Sequence, residues 1–350
     1  MSNSLHAAIA GLLDHTHPTG PRSHRGLTIV PLFAPRAGKP AYVSLAEAVK
    51  HDGFCITEID SGGSVPNLRV INKTPHNVFL FDGQELKGAK QNRVLNTSIL
   101  VPAESDVTIP VSCTESGRWS YDSPHFSDSK TVMSPKIRKS KSASVSASYL
   151  AYQQAASNQG EVWGEIEELH EAAETSASSS TRAMKDAYDA HKGGLDEFAR
   201  KMPCEANQSG LLAIRNGRVE GADVLSRPEV YKDLHESLVR SHAMDALVRR
   251  DRRQPPGAPG EPDPAALVEA AERFLESARH CRDSAHDSAG LGRDHRLTGD
   301  DAHGSALVEA DTTVHLALFA AEDDSDPGTR YSIASSRRRR AWNHRRRDED

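Results

Sequence analysis

The densest run of chemically capable side chains is Asp82-Gly83-Gln84-Glu85-Leu86-Lys87-Gly88-Ala89-Lys90-Gln91-Asn92-Arg93-Val94-Leu95-Asn96-Thr97. Gly83 and Gly88 stand at P-loop spacing. Ala89, however, occupies the position where that motif needs lysine, and Gln91 follows Lys90 where it needs Ser or Thr to hold magnesium, so a P-loop is rejected. What remains is a turn between apolar strands that presents one carboxylate, two ammonium groups, amides and a guanidinium. Amides and carboxylates suit ribose hydroxyls or a base edge, and Lys and Arg suit phosphate oxygens, so the inventory fits a nucleotide-like ligand. The plainer reading is a charged hairpin tip paired with itself. Glu85 is the one strong general acid/base candidate, and beside a cation it would activate water for glycosidic or phosphoester cleavage.

A second run, Glu115-Ser116-Gly117-Arg118-Trp119-Ser120-Tyr121, sets an arginine beside two aromatics. That set clamps an anion and stacks a base, or else supplies a strand face of the core. The expected assignments are Lys90, Arg93 and Arg118 for phosphate, Gln91, Asn92 and Asn96 for ribose or base, and Trp119 or Tyr121 for stacking, with Lys87 also counted among the ligand-binding residues. Downstream, Lys136, Arg138, Lys139 and Lys141 alternate with serines, either as a phosphate-holding patch or as the solvated start of a helix.

Other constellations are weaker. His280, Cys281, Asp283, His286 and Asp287 are metal-ligand types without C-x-x-C, H-E-x-x-H or a facing second half, and His15 and His17 are no better, so no metal is expected. No G-x-S-x-G elbow nominates a nucleophilic serine. His315, inside a strand-like run, is read as a satisfied buried histidine. Cofactors are left open.

These residues need a scaffold. The chain has 350 residues, 37% of them apolar, which is enough for a sizeable core. With 43 Lys plus Arg against 49 Asp plus Glu, the formal charge is −6, so nucleic acid is not expected except through the arginine-rich end. Four widely spaced cysteines, no leader pattern, and no run near about 18 apolar residues predict a soluble, cytoplasmic protein with no membrane partner.

From Leu27 to Cys113 the pattern is of strands: Leu27–Phe33, Phe54–Ile59, Leu68–Ile71, Val78–Phe81, Thr97–Val101 and Val107–Cys113. In the last, apolar residues alternate with Thr108, Pro110 and Ser112, and Pro110 predicts an edge or bulge. Ser44 reads as an N-cap with Glu47 completing a capping box.

After Ser134 the period becomes helical. Val162 to Ala173, Met184 to Phe198 (with a kink at Gly193-Gly194), Arg227 to Arg249 and a helix opened by Asp263-Pro264 are predicted helices. Strands return at Leu211–Ile214, Val219–Leu225, Ala306–Val308 and Val314–Phe319. The fold class is therefore α+β: a mainly antiparallel N-terminal sheet, helices grouped in the middle, strands near the C-terminus. A single domain is expected over 26–321, with a Pro/Gly-rich excursion at 251–263, a disordered segment 1–25 and a disordered acidic-then-basic tail 322–350.

At these same residues the chain resembles a bacterial domain family named for its genomic association with ADP-ribosylglycohydrolases and rhodanese-phosphatases, formerly a domain of unknown function. The resemblance runs through Ser64–Val70, Asp82–Thr97, Pro110–Cys113, Gly117–Tyr121, Asn158–Trp163 and Val314–Phe319, and covers about Gly26 to Ala320. It implies a ligand class, ADP-ribose-like or NAD-derived nucleotides, and a partner enzyme of ADP-ribose metabolism. Three functions remain open. The protein binds such a nucleotide, with or without processing it; or it is a non-catalytic module reading a nucleotide, a modified protein or RNA for a partner enzyme; or it is an interaction protein whose polar hairpin docks a partner.

Overall fold

The computed structural model describes residues 5–59, 66–118, 120, 123–249 and 263–321. In chain order the elements are α1 (Ala7–Asp14), β1 (His17–Pro18), β2 (Arg22–His24), β3 (Leu27–Phe33), β4 (Tyr42–Ser44), α2 (Leu45–Ala48), β5 (Phe54–Thr57), β6 (Asn67–Asn72), β7 (Asn77–Leu80), β8 (Gln84–Gly88), β9 (Arg93–Leu95), β10 (Ile99–Val101), β11 (Ser105–Cys113) and β12 (Phe126–Val132). They continue with α3 (Pro135–Tyr152), α4 (Gln159–Ala172), α5 (Met184–Ala190), α6 (Lys192–Lys201), β13 (Gly210–Arg215), β14 (Arg218–Leu225), α7 (Pro228–Val248), α8 (Pro264–Ser277), β15 (Arg282–Asp287), β16 (Arg293–Thr298), β17 (Ala302–Glu309) and β18 (Thr312–Ala320). The fold is α+β.

Three sheets share these strands. A nine-stranded sheet runs β1-β3-β13-β14-β18-β17-β16-β15, with β2 also on β3, so the first and last described strands belong to one layer. Its strands alternate between two buried faces. Leu211 and Ala213 join the core under α7, whereas Leu212 and Ile214 join the opposite core with Ile9 and Leu13 of α1 and Leu267, Ala271 and Phe274 of α8. Two hairpins in this sheet close through two-residue turns in the left-handed region, Asn216-Gly217 and Ala310-Asp311, the geometry that matches strand twist.

The strands β11-β6-β5-β12-β8-β9 close into a barrel filled by Leu68, Val70, Leu86, Ile109, Val111 and Phe126. A small sheet, β10-β7-β4, stands beside it. Pro110 lies on no free edge: β11 pairs with β6 as far as Pro110 and with β9 from Val111 onward, so the missing N–H falls where the strand changes partner.

Ser44 caps α2 by accepting from Glu47 N at 3.1 Å, while the Glu47 carboxylate pairs with Lys50 rather than completing the box. The expected kink at Gly193-Gly194 falls earlier, at His191 (φ −101°), whose ring bonds Ala173 O at 3.0 Å. The glycines sit in the first turn of α6, where they interrupt nothing.

The expectation of disorder over 1–25 does not hold from Leu5 onward. Ile9 and Leu13, four residues apart, bury one face of α1, and the histidines that break the apolar pattern lie off that face, with His6 capping Ala8 N at 3.2 Å. The Pro/Gly-rich excursion and the tail lie outside the described residues. Among those described, no helix is long and apolar enough to cross a membrane.

Candidate functional site

β8 ends at Gly88, and the chain returns through 89–92 into β9. Gly88 has φ +130°, and a Cβ there would lie 2.5 Å from Ser123 Oγ and 2.7 Å from His125 O, so the turn requires glycine. The loop is fastened rather than free. Gly88 N donates to Asn92 Oδ1 at 3.3 Å, Asn92 N to Glu115 Oε2 at 3.1 Å, and Thr114 N to Asn92 O at 3.0 Å.

Arg118 clamps this loop with every N–H it has. Nε and Nη2 hold the Glu115 carboxylate at 3.0 and 2.7 Å, Nη1 reaches Ala89 O at 2.7 Å and Ser120 O at 2.9 Å, and Nη2 also reaches Asn92 Oδ1 at 3.3 Å. Burial pushes the Glu115 carboxyl up, but hydrogen bonds from Arg118, Thr181 and Asn92 N outweigh it and hold it below its ordinary value. Arg118 in this arrangement positions the loop, and taking phosphate would break one of these bonds.

Strand parity divides the remaining residues. Across β8 and β9, Glu85 faces Val94 and Leu86 faces Arg93. Leu86 belongs to the barrel interior and Val94 to the core under the helices, so Arg93 points into the barrel and Glu85 out of it. Inside, Arg93 Nη1 donates to Gln91 Oε1 at 3.0 Å, and Nη2 lies 3.7 Å from Glu58 Oε1. Glu58, directly after β5, has no hydrogen bond on either oxygen among the described residues. Cys113 opposes Arg93 on β11; burial pushes its thiol up against the pull of Arg93. The end of β5, the end of β8, the start of β9 and the end of β11 bring Glu58, Lys90, Gln91, Asn92, Arg93 and Cys113 to one end of the barrel. Lys90, Gln91 and Asn92 are 8%, 5% and 4% exposed, so the tip is buried, and part of its bonding is to itself, as in Gly88 N to Asn92 Oδ1 and Arg93 Nη1 to Gln91 Oε1.

Outside the barrel wall, Glu85 is fully buried. Thr114 Oγ1 donates to its Oε1 at 2.7 Å, and Oε2 has no partner among the described residues. Burial raises this carboxyl to about 7, against weaker pulls from Thr114, Ser129 and Lys185. The one acid/base candidate therefore titrates near neutrality but faces away from Arg93. Asn96 bonds Ala155 O at 3.1 Å and accepts from Ser112 Oγ at 2.7 Å, which fixes it in the framework, and Lys87 faces solvent. Trp119 and Tyr121 lie outside the described residues.

Sequence reasoning missed the polar network beside this site. Arg138 and Lys141, read as parts of one basic stripe, turn inward from α3 and are buried, while Lys136 pairs with Glu165 at 2.8 Å. Arg138 holds both Asp223 oxygens at 2.7 and 2.6 Å and Asp82 Oδ2 at 3.2 Å. Lys141 bonds Asp82 and, at 2.7 Å, Asn96 O. Burial would raise Asp223, but Arg138 and His315 hold it well below the usual carboxylate range. The readable signal was Asp223 itself, an acid within an apolar strand that must find a buried cation.

His315 bridges Asp223 at 3.1 Å and Ser98 Oγ at 2.7 Å, a serine-histidine-aspartate chain by residue type. Ser98 Oγ already accepts from Asp82 N at 3.0 Å, Arg138 occupies the aspartate, and all three residues are buried. The chain fastens barrel to sheet and offers no accessible nucleophile. Asp283, among the metal-ligand types, instead binds His295 at 2.9 Å and His6 N at 3.0 Å.

No curated protein and no solved structure matches this chain. A family model does, and its match over residues 15–319 takes in both the barrel and the large sheet, beginning upstream of the expected Gly26. The chain thus belongs to the ARG and Rhodanese-Phosphatase-superfamily-associated Protein domain family.

Proposed function

We propose that the protein binds an ADP-ribose-like or NAD-derived nucleotide at the barrel end formed by Glu58, Lys90, Gln91 and Arg93, and that its role is recognition. The observation that carries this reading is the Glu58 carboxylate, buried at the barrel end without a hydrogen bond on either oxygen among the described residues and 3.7 Å from the Arg93 guanidinium. A vicinal diol offers two donors spaced for one carboxylate, as when acidic residues hold the ribose of a dinucleotide. Lys90 and Arg93 supply the cations a diphosphate requires, and Gln91 supplies a two-way hydrogen-bonding amide.

Glu85 lies on the other side of the barrel wall from this set, which favours the non-catalytic alternative over hydrolysis at Glu85. Burial of 90–92 disfavours the reading in which a convex polar hairpin docks a partner. The family's name supports placing the protein beside an enzyme of ADP-ribose metabolism. Four unpaired cysteines fit a reducing, cytoplasmic setting.

A thermal-shift series with ADP-ribose, NAD and AMP tests the proposal. A ligand at one hundred times its Kd stabilises the folded state by about 2.7 kcal/mol, a readily measured rise in Tm. The rise should vanish in Glu58→Gln, which keeps size and removes the charge. No rise with any nucleotide, or an equal rise in the variant, refutes the assignment.

A further inference from the structure

Away from the barrel, a surface cleft of 520 Å³ opens between α1, the segment 35–37 and the β17–β18 turn. That volume lies in the range of sites for small organic molecules, about 300–1,000 Å³. One wall is the small-residue face of α1: Ala8, Gly11 and Leu12 line it, and a Cβ added at Gly11 would meet nothing within 4 Å, so the cleft reaches the helix backbone. The opposite wall carries opposite charges. Arg36 binds Glu229 through Nε and Nη2, at 3.2 and 2.7 Å, with no partner on Nη1 among the described residues. Asp311, held at φ +60° in its turn, has no ion-pair or hydrogen-bond partner on its carboxylate among those residues. Thr313 also lines the cleft; it is 3% exposed, and its Oγ1 has no hydrogen-bond partner among the described residues. A buried hydroxyl without a partner is costly unless something else meets it.

We infer that this cleft is a binding site for a small zwitterion with an apolar side chain, of the class of free apolar amino acids. The carboxylate meets Arg36 Nη1, the ammonium meets Asp311, Thr313 Oγ1 bonds one of the two head groups, and the side chain lies along Ala8, Gly11 and Leu12. The site is separate from the barrel end: Ala8, Gly11 and Leu12 lie on α1, and Arg36, Asp311 and Thr313 lie beside the large sheet.

The test titrates the full chain with leucine and phenylalanine, following amide chemical shifts, with leucinamide and N-acetyl-leucine as probes lacking one charge each. Both free amino acids should bind with shifts centred on α1 and 311–313, and each capped derivative should bind at least about tenfold more weakly, through loss of one charge-assisted contact. Gly11→Leu fills the cleft at a position where leucine is the better helix former, so the variant should fold with an undiminished Tm and lose binding. Arg36→Gln should weaken leucine and leave leucinamide unchanged. Absence of binding by both amino acids, equal binding of the capped derivatives, or retention of affinity in Gly11→Leu overturns the proposal.

Discussion

Glu85 makes the sharpest pH-dependent statement at the level of single residues. A carboxyl that titrates at its ordinary 4.5 when unfolded and at about 7 when folded takes up a proton on folding at any pH between the two. Below 4.5 both states are protonated and the folded state has its full stability; as pH rises towards 7 that stability is lost, by about 3 kcal/mol in all. Chemical denaturation at pH 5 and pH 8 should show this loss in the wild type and a clearly smaller one in Glu85→Gln, where nothing ionises. Equal losses in both proteins would place the pH dependence elsewhere. Gly88 carries a second prediction. Gly88→Ala puts a methyl against His125 O in a left-handed backbone region and should cost about 1–3 kcal/mol, read as a lower denaturation midpoint at unchanged slope.

Among the elements, α3 decides how the barrel is joined to the large sheet. Arg138 reaches Asp82 before β8 and Asp223 in β14, and its guanidinium lies 4.6 Å from the Phe81 ring centroid and 5.2 Å from that of Phe319. Removing one partner of a buried ion pair leaves a charge without compensation, so Asp223→Asn should destabilise by about 3–5 kcal/mol. Replacing Arg138 and Asp223 together by Met and Leu should cost much less than the sum of the single changes. A double-mutant cycle in urea checks this, and additive losses would show that the pair is not coupled.

How legible these elements were follows from their chemistry. The alternation of Val107, Ile109 and Val111, the Asn216-Gly217 turn and the Pro228 start of α7 are local signals, and each element stands where its residues placed it. β15 and β16 gave no such signal, because Arg282–Asp287 and Arg293–Thr298 are mostly polar and owe their pairing to neighbouring strands. The site was half legible for the same reason. The run 82–97 identified the polar residues that matter, but whether Glu85 and Arg93 share a face depends on which strand surface closes inward, and the non-local pairing of β11 with β6 and β9 sets that. Glu58 lies 35 residues before Arg93 in a strand-like run that carries no polar motif, and only barrel closure brings the two together.

At the scale of the whole molecule, the first and last described strands share one sheet, the barrel is tied to it through α3 and His315, and the clamped loop lies at the barrel's polar end. Lys90, Gln91 and Asn92 are buried, so under the proposed recognition role a nucleotide has to displace them to reach Glu58, and association should be slower than the roughly 10⁵–10⁷ M⁻¹s⁻¹ typical of docking on a preformed surface. The most direct test of the proposed nucleotide recognition at the barrel end is isothermal titration of ADP-ribose into the wild type and into Glu58→Gln at matched stability. Saturable one-to-one binding that is lost in Glu58→Gln is the predicted result. Wild-type affinity in the variant, or no heat with either protein, would contradict it.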